Sequence, residues 1–464
     1  MQAPFFVTNP RKSRAPTGAI RPCAPRASLG YGGLNPELMD ALQREAFDYF
    51  VHEANPRDGL IADKNQPGSP ASVAAVGFAL SSYPVGVERG FVSRAFAVER
   101  TLATLRFFHG SVQGADADAT GYKGFYYHFL DMVDGRRVWN CELSTIDSAL
   151  LLAGMLTAAA YFSGDGADER EIGELAEALY RRADWDWARN GGATVTHGWK
   201  PEDGFLGFRW EGYDEAMILY LLGLGSPTHP LPAESYAGWT ATYEWKKIYD
   251  HEILYSGPLF THQFSHVWID FREIQDDYMR GKGSDYFENS RRATHVQRRY
   301  AIENPAGFAG YGENCWGISA SNGPGPATHM INGTERRFFG YMARGVPDGP
   351  DDGTIAPSAV AASFPFAPEI VAPALRYFAT LALRENRAYD LETAFNATIA
   401  DLASPPRLWV SPVHVGISRG PIVLMIENYR TGLIWGLMRG CPYVVAGLRR
   451  AGFSGGWLET QADD

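Results

Sequence analysis

Hydrophobic and polar positions alternate along this chain in blocks of helical length. From residue 36 onward, stretches with the apolar spacing of a helix are separated by connections rich in Gly, Pro and Asp, without the short strand rhythm of a sandwich or barrel. The pattern therefore predicts a mainly α-helical protein. The predicted helices are Pro36–Glu53, Ser72–Ser82, Val92–His109, Thr145–Phe162, Glu169–Trp187, Tyr213–Leu224, Phe260–Arg280, Ser284–Ile302, Pro368–Glu385 and Ile422–Met438.

These helices are of two kinds. EREIGELAEALYRRADWDW, at 169–187, has one apolar stripe and a charged back, as a helix of an outer layer does. IDSALLLAGMLTAAAYF (146–162) and EAMILYLLGLG (215–225) are apolar almost all round, so neighbours must cover them on every side. Inner helices wrapped by outer helices predict a two-layer α barrel. Because no fixed repeat or internal linker is evident, 36–464 is predicted to form a single domain after a disordered tail at 1–35.

Charge and composition narrow the class of protein. Lys and Arg number 42 against 53 Asp and Glu, whereas nucleic-acid binders cluster cations on one face. No run of about 18 apolar residues is long enough to cross a bilayer. We therefore expect no nucleic-acid partner, no membrane partner and no cofactor, and a monomer or small homo-oligomer. The four cysteines are far apart without a CxxC pair, so we predict free thiols at Cys23, Cys141, Cys315 and Cys441.

Acidic residues stand at the starts of the two all-apolar helices. Ser144 and Asp147 have the spacing of a capping box, and Asp214 and Glu215 are predicted to occupy the first turn of the second helix. Acids there gain roughly 0.3 to 1 kcal/mol from the helix dipole, which is a purely structural explanation. The alternative is that these carboxylates, with Glu142, converge on one cleft and grip or cleave a sugar.

Comparing the effects of the helix dipole and of burial on the pKa shows that such a carboxyl group can serve as a proton donor. The dipole favours the charged form by at most about 1 kcal/mol, or about 0.7 of a pKa unit. Burial beside aromatic rings such as Trp210 and Tyr213 can raise a carboxyl pKa by up to ~3 to 5. Desolvation can therefore outweigh the dipole.

Other polar residues in apolar surroundings are candidates for substrate binding. His262, His266 and Asp270 recur at i, i+4 and i+8 of a predicted helix, a spacing that superficially resembles a zinc site. Without a Glu beside the first His or a separate ligand cluster, we predict no metal; the face instead bonds sugar hydroxyls or neighbouring helices. Glu427 and Arg430 form either a buried pair or a substrate-contacting rim. The remaining predicted contacts are Gln263, Tyr429 and, in the long aromatic connection 310–326, Trp316 and Asn322.

Several segments, taken in order, resemble the glycoamylase-like domain family, which includes the bacterial β-1,2-glucanases of glycoside hydrolase family 144. They include ELSTIDSALLLAG (142–154), GYDEAMILYLLGLGSPTHP (212–230), WGISAS (316–321) and GPIVLMIENYRTGLIW (420–435). The resemblance spans about residues 40–440. It implies an (α/α)6 barrel, in agreement with the inner and outer helices, and a periplasmic or secreted location; the compartment is cytoplasmic if no signal was removed.

By this resemblance, Glu215 is the general acid and Asp147 lies in the innermost sugar subsite of an inverting hydrolase of β-1,2-glucan or sophoro-oligosaccharides. Two departures leave the base without an assigned residue. The family segment commonly reads Gly-hydrophobic-Asp-Gln-Gly-Pro, but Ser418 stands at the Asp position here, and Asn322 replaces the Asp of Ala-Ser-Asp-Gly. Asp147, Glu142 and Glu313 are the candidates for that function. The alternatives are a transglycosylase or exo-glycosidase with another linkage specificity, and a non-catalytic glucan-binding protein.

Overall fold

Helices dominate the protein. The computed structural model describes residues 35–381, 383, 389, 391–399 and 408–461, so the predicted tail, apart from Asn35, lies outside the described residues. Short 3₁₀ helices occur at Leu259–His262 and Gly456–Thr460. The α-helices are α1 (Pro36–His52), α2 (Val73–Glu88), α3 (Arg94–Gly110), α4 (Thr145–Tyr161), α5 (Ala167–Arg182), α6 (Trp185–Ala188), α7 (Met217–Gly225), α8 (Ala233–Thr240), α9 (Phe264–Trp268), α10 (Asp277–Lys282), α11 (Tyr286–Glu303), α12 (Pro357–Ala362), α13 (Pro368–Thr380), α14 (Gly416–Arg430), α15 (Leu433–Arg439) and α16 (Pro442–Arg450).

The strands are short, pair antiparallel and occupy the connections between helices. They are β1 (Ala71–Ser72), β2 (Gly121–Tyr122), β3 (Phe125–Tyr127), β4 (Phe129–Leu130), β5 (Leu143–Ser144), β6 (Gly198–Lys200), β7 (Gly204–Phe205), β8 (Trp245–Ile248), β9 (His251–Leu254), β10 (Ala320–Ser321), β11 (Ala327–Ile331), β12 (Thr334–Phe338), β13 (Met342–Ala343), β14 (Thr354–Ile355), β15 (Phe395–Asn396) and β16 (Trp409–Val410). The largest sheet has the order β2-β3-β5-β6-β7, and its central strand β5 runs directly into α4.

Two layers of helices form an (α/α)6 barrel, as predicted. The helices buried along most of their length are α2, α4, α7, α9, α12 and α14. They close a ring, since α2 packs on α4, α4 on α7 and α7 on α9, while α14 contacts α9, α12 and α2. The helices α1, α3, α5, α11, α13 and α16 lie outside this ring and keep an exposed face. Apolar positions all round a helix thus mark the inner layer, because such a helix needs cover on every side.

Glycine sets the distance between neighbouring helices at two contacts. A Cβ on Gly154 of α4 would lie 2.1 Å from the carbonyl oxygen of Gly77 in α2. A Cβ on Gly447 of α16 would lie 2.0 Å from the carbonyl oxygen of Leu221 in α7. Neither position has room for a side chain, so the backbones approach more closely than larger residues permit.

The predicted helix Phe260–Arg280 is wrong. The chain forms a 3₁₀ turn, then α9, and becomes extended at Ile269 (φ −105°, ψ 125°) before α10 begins. The helix ends here because the Asp270 carboxylate accepts hydrogen bonds from the backbone N–H and the guanidinium of Arg272. These bonds give the backbone an alternative to the hydrogen bonds of a continuing helix. Asp276 then caps α10 by accepting a bond from the N–H of Met279.

Two other predicted boundaries also change. The predicted helix Ile422–Met438 is interrupted at Gly432, which adopts a left-handed conformation (φ 71°) between α14 and α15. The helix predicted at Tyr213–Leu224 begins later, at Met217. Within the described residues, no helix combines the length and apolar character needed to cross a membrane.

Candidate active site

A cavity of about 310 Å³ lies at the N-terminal ends of several inner helices. This volume is at the small end of the ~300 to 1,000 Å³ typical of ligand pockets. Its walls come from the start of α4, the turn before α7, and from α9, α12 and α14. The lining residues are His128, Glu142, Ser144, Ile146, Asp147, Leu150, His197, Leu206, Trp210, Glu215, Phe260, Gln263, Phe264, Ser319, Ala320, Tyr341, Ser358, Ala359, Ala362, Ile417, Ser418 and Pro421.

Asp147 both completes a helix cap and lines the cavity. The hydroxyl of Ser144, the N-cap residue of α4, accepts a hydrogen bond from the N–H of Asp147 at 3.2 Å and donates one to its carboxylate. The predicted capping arrangement is therefore present. Because the same carboxylate faces the cavity, the structural and the functional explanation apply together.

Glu215 lies in the turn that precedes α7, not in its first turn as predicted. Asp214 holds this turn, since its Oδ1 accepts hydrogen bonds from the N–H of Ala216 at 2.9 Å and from Nε1 of Trp239 at 3.1 Å. The turn leaves Glu215 free of the α7 backbone and places it in the cavity wall.

The environment of Glu215 favours its protonated form. Burial, together with the negative charges of Asp214 and Asp147, raises the pKa of Glu215 to about 8. Burial also raises the pKa of Asp214, but the two hydrogen bonds that it accepts favour its carboxylate form. Burial thus favours a protonated carboxyl group at Glu215 near neutral pH, whereas at Asp214 the two accepted hydrogen bonds oppose the effect of burial.

His128 connects two cavity carboxylates, and no motif in the sequence pointed to it. Its Nδ1 lies 2.9 Å from Oε1 of Glu142, and its Nε2 lies 3.7 Å from Oδ2 of Asp147. Burial works against the imidazolium, yet Asp147, Glu142 and Asp63 together raise the pKa of His128 to about 9. Burial raises the pKa of Glu142, but the hydrogen bond and the charge of His128 outweigh this effect, so that the pKa is lowered. A cation thus lies between acids that would otherwise repel one another.

Asp63 and Tyr341 complete the electrostatic surroundings, and both were missed in the sequence. Burial and the nearby charge of Asp147 raise the pKa of Asp63, with Lys64 and His128 opposing. Tyr341 lines the cavity with 57% of its surface exposed, and the nearby carboxyl groups of Asp63, Asp147 and Glu215 act to raise the pKa of its hydroxyl. The isolated acid in DGLIADK (58–64) was a usable signal for Asp63; Tyr341 carried none.

A family model named Glycoamylase, with the description "Putative glucoamylase", matches residues 207–442, about half of the chain. The chain belongs to the glycoamylase family. The matched region contains Glu215 and Ser418, whereas Asp147 and His128 precede it. The cavity is therefore built from the glycoamylase region and from helices on its N-terminal side.

The chain is similar in sequence and in structure to several named proteins. The exo-β-1,2-glucooligosaccharide sophorohydrolase (non-reducing end) of Parabacteroides distasonis is 29% identical over 450 residues, covering 89% of this chain and 57% of that protein. The chain thus spans little more than half of that relative's length. A Bacteroides uniformis structure, which is described as a "putative glucoamylase", is 33% identical to this chain with a TM-score of 0.80. The match covers 91% of this chain and 98% of the B. uniformis chain. The endo-β-1,2-glucanase of Chitinophaga pinensis, solved with sophorotriose and glucose, is 26% identical with a TM-score of 0.78, covering 91% and 99%.

Some of the predicted binding residues line the cavity. Glu142, Trp210 and Gln263 do so together with the two predicted catalytic acids. The Trp210 indole stacks on His197, with ring centroids 3.9 Å apart, and its Nε1 donates to the hydroxyl of Thr145. The amide nitrogen of Gln263 donates a hydrogen bond to the carbonyl of Ala359 in α12.

The two predicted histidines are not among the cavity-lining residues. Nε2 of His262 bonds the carbonyl of Ser256 at 3.1 Å, and Nε2 of His266 bonds the hydroxyl of Ser290 at 3.0 Å. Both rings are buried in the packing between helices, and they do not share one helical face, because the 3₁₀ turn ends at His262 and α9 begins only at Phe264. Across the described part of the chain, no group of His, Cys, Asp or Glu has a metal-binding arrangement.

The predicted C-terminal rim is also displaced from the cavity. Glu427 forms a bidentate ion pair with Arg89, with both oxygens at 2.7 Å, and Arg430 bonds Asp40. The alternative of a Glu427–Arg430 pair is therefore wrong, since partners on α1 and at the end of α2 take both side chains. The Tyr429 ring packs on Phe364.

The other predicted residues that do not line the cavity lie in the core or in loops. The Tyr213 ring packs on His262, and Trp316 is buried. Asn322 reaches the hydroxyl of Ser411 at 3.5 Å. Glu313, a candidate base, is exposed and pairs with Arg298 at 2.5 Å.

Proposed function

We propose that this protein is a glycoside hydrolase that cleaves β-1,2-linked glucooligosaccharides, with Glu215 as the general acid. The observation that carries the proposal is the cavity in which a protonated Glu215 faces the same space as the carboxylate of Asp147. A carboxylic acid that can donate a proton, facing a second carboxyl group across one cavity, is the arrangement that glycoside hydrolysis needs. The names of the P. distasonis and C. pinensis relatives support the β-1,2 linkage.

Proton transfer from Glu215 starts the reaction. Glu215 donates its proton to the glycosidic oxygen as the bond to the anomeric carbon breaks, and the positive charge that develops on the sugar ring is stabilised by the surrounding carboxylates. A water attacks the opposite face of the anomeric carbon and loses its proton to a carboxylate. The products are two sugars, and the anomeric configuration is inverted.

Asp147 is the base that fits the cavity best. Of the three candidates from the sequence, Glu313 does not line it, and Glu142 is held by Nδ1 of His128 at 2.9 Å. Asp147 faces the cavity with His128 at the longer distance of 3.7 Å, so its carboxylate is stabilised by charge while an oxygen stays available to water. His128 acts here as a positioning residue, because it bonds Glu142 and lies 3.7 Å from Asp147.

Replacing Glu215 with Gln tests the proposal. The amide keeps the size of the side chain but cannot donate an acidic proton, so turnover of sophoro-oligosaccharides should fall by about 10² to 10⁴-fold. Glu211→Gln is the matched control, because Glu211 lies in the same segment, bonds Thr194 and does not line the cavity. Wild-type turnover by Glu215→Gln, with its thermal unfolding unchanged, would refute the assignment.

A second candidate, transglycosylation, is favoured by Ser418 in the cavity wall. A serine hydroxyl does not take up a proton at neutral pH, so a sugar hydroxyl can compete with a poorly activated water. Chromatography separates the two functions: hydrolysis yields only shorter products, whereas transfer also yields products longer than the substrate. Proton NMR of the first products gives the anomeric configuration and tests inversion.

A further inference from the structure

One indole ring of this protein is directed into solvent beside the candidate active site. Trp139 is 64% exposed, whereas four other tryptophans, Trp185, Trp239, Trp268 and Trp316, are fully buried. An exposed indole forgoes the ~1.5 to 3 kcal/mol that burial of a large apolar side chain yields. It is the contacts of this indole with rings that lead to the cavity, and not its exposure alone, that indicate a ligand-contacting role.

The backbone holds Trp139 in this place. Trp139 and Asn140 both adopt left-handed conformations, with φ of 57° and 47°, which non-glycine residues take up infrequently. Hydrogen bonds fix the chain on both sides, from the N–H of Val138 to the carbonyl of Phe129 and from the N–H of Cys141 to the carbonyl of Val138. Strained conformations persist where the surrounding structure enforces them, and they cluster at functional sites.

Arg137 anchors the same loop. Its Nε donates to the carbonyl of Cys141 at 2.6 Å, its Nη1 pairs with Glu202 at 2.6 Å, and its guanidinium lies over the ring of Tyr127. The position of the indole is thus set before any ligand arrives. A ligand that stacks on it does not have to order the loop.

A row of rings joins Trp139 to the cavity. Its indole contacts the ring of Phe129 at 5.1 Å between centroids, and Phe129 lies flat on His128 at 3.9 Å with an interplanar angle of 12°. His128 lines the cavity and touches both Glu142 and Asp147. The surface that begins at the catalytic carboxylates therefore continues outward to Trp139.

We propose that Trp139 forms an additional sugar subsite, on which a glucosyl unit beyond the cavity stacks. This inference rests on the proposed function. One face of a glucopyranose ring carries only C–H groups, which pack against an indole, while its hydroxyls stay in water. Tryptophan provides this contact at a small loss of side-chain freedom, since it has only two rotatable bonds. The subsite would favour chains too long for the cavity over those that fit inside it.

Calorimetric titration with sophoro-oligosaccharides of increasing length tests the subsite. The Glu215→Gln protein serves as the parent, so that binding is measured without turnover. Adding Trp139→Ala should leave the Kd of the shortest bound oligosaccharide unchanged and raise the Kd of longer ones by about tenfold, equivalent to about 1.4 kcal/mol. Trp139→Tyr, which keeps a ring, should recover most of this loss.

Tyr377→Ala is the matched control, because Tyr377 is an exposed aromatic residue on the outer helix α13. It should leave every Kd unchanged. An equal loss at all lengths after Trp139→Ala, or no loss at any length, overturns the subsite while the proposed function stands. If the parent binds no glucooligosaccharide of any length, the proposed function fails, and the subsite fails with it.

Discussion

Asp214 and Glu215 are neighbours in the chain, but their side chains have different surroundings and different roles. Asp214 accepts hydrogen bonds from Ala216 and Trp239 and shapes the turn before α7. Glu215 faces the cavity, where burial is the largest cause of its raised pKa. The family resemblance named Glu215 as the general acid, and Glu215, unlike Asp214, is among the residues that line the cavity.

This arrangement has a consequence for the pH dependence of activity. Glu215 must be protonated to act as the acid, so kcat/KM should be maintained below its pKa and fall as the pH rises through about 8. Asp214→Asn removes a negative charge that raises this pKa, while the amide oxygen can still accept both hydrogen bonds. The alkaline limb of the pH–rate profile should therefore move to lower pH. An unmoved limb would show that Glu215 is not the group that titrates.

The apolar pattern of a whole stretch correctly predicted the layer in which its helix lies. The all-apolar stretches became inner helices, because burial on one side or on all sides is a property of the helix as a unit. The amphipathic stretch at 169–187 became the outer helix α5, which ends at Arg182, and the start of the short helix α6, which begins at Trp185. The failures occurred where a side chain competes with the backbone, as at Asp270, or where a glycine reverses it, as at Gly432. Such events depend on single partners and not on periodicity.

The contact between α2 and α4 offers a test at the level of the element. Gly154→Ala would place a methyl group 2.1 Å from the carbonyl oxygen of Gly77, so the helices must separate. We expect the free energy of unfolding to fall by about 1 to 3 kcal/mol, as overpacked cores do. Gly173→Ala in α5 is the control, since its Cβ meets nothing within 4 Å.

The control should raise stability by about 0.4 to 1 kcal/mol, because alanine restricts the unfolded chain. Midpoints of urea unfolding compare the two variants with the wild type. Equal midpoints for Gly154→Ala and the wild type would mean that the helices are less closely packed than the structure shows.

At the scale of the whole molecule, the ring closes where α14 meets α1 and α2. Glu427 of α14 is 1% exposed, forms a bidentate ion pair with Arg89 and accepts a further bond from Gln43 of α1 at 3.0 Å. These residues are distant in sequence, so the pair joins the last inner helix of the ring to the first. A buried carboxylate of this kind depends on its partners to offset its lost hydration.

Removing the arginine should therefore weaken the entire ring. Arg89→Ala leaves the buried charge of Glu427 without its ion-pair partner and should lower the free energy of unfolding by about 3 to 5 kcal/mol. Arg94→Ala is the comparison, because the Arg94–Glu169 pair is more exposed and should contribute only about 0 to 1 kcal/mol. Equal urea midpoints for the two variants would contradict this role for Glu427.

The sequence alone was enough to predict the helical class and the two layers of the barrel, because these follow from periodicity. Local spacing indicated acids near the starts of two inner helices, and the family resemblance singled out Asp147 and Glu215 among them. Tertiary structure alone decided which polar residues share the cavity. His128 and Tyr341 reach it from separate connections and Asp63 acts on its charges from nearby, while His262, Glu427 and Asn322 bond other partners. A pKa, an ion pair or a row of stacked rings depends on distances between residues far apart in the chain, and these distances exist only once the ring has closed.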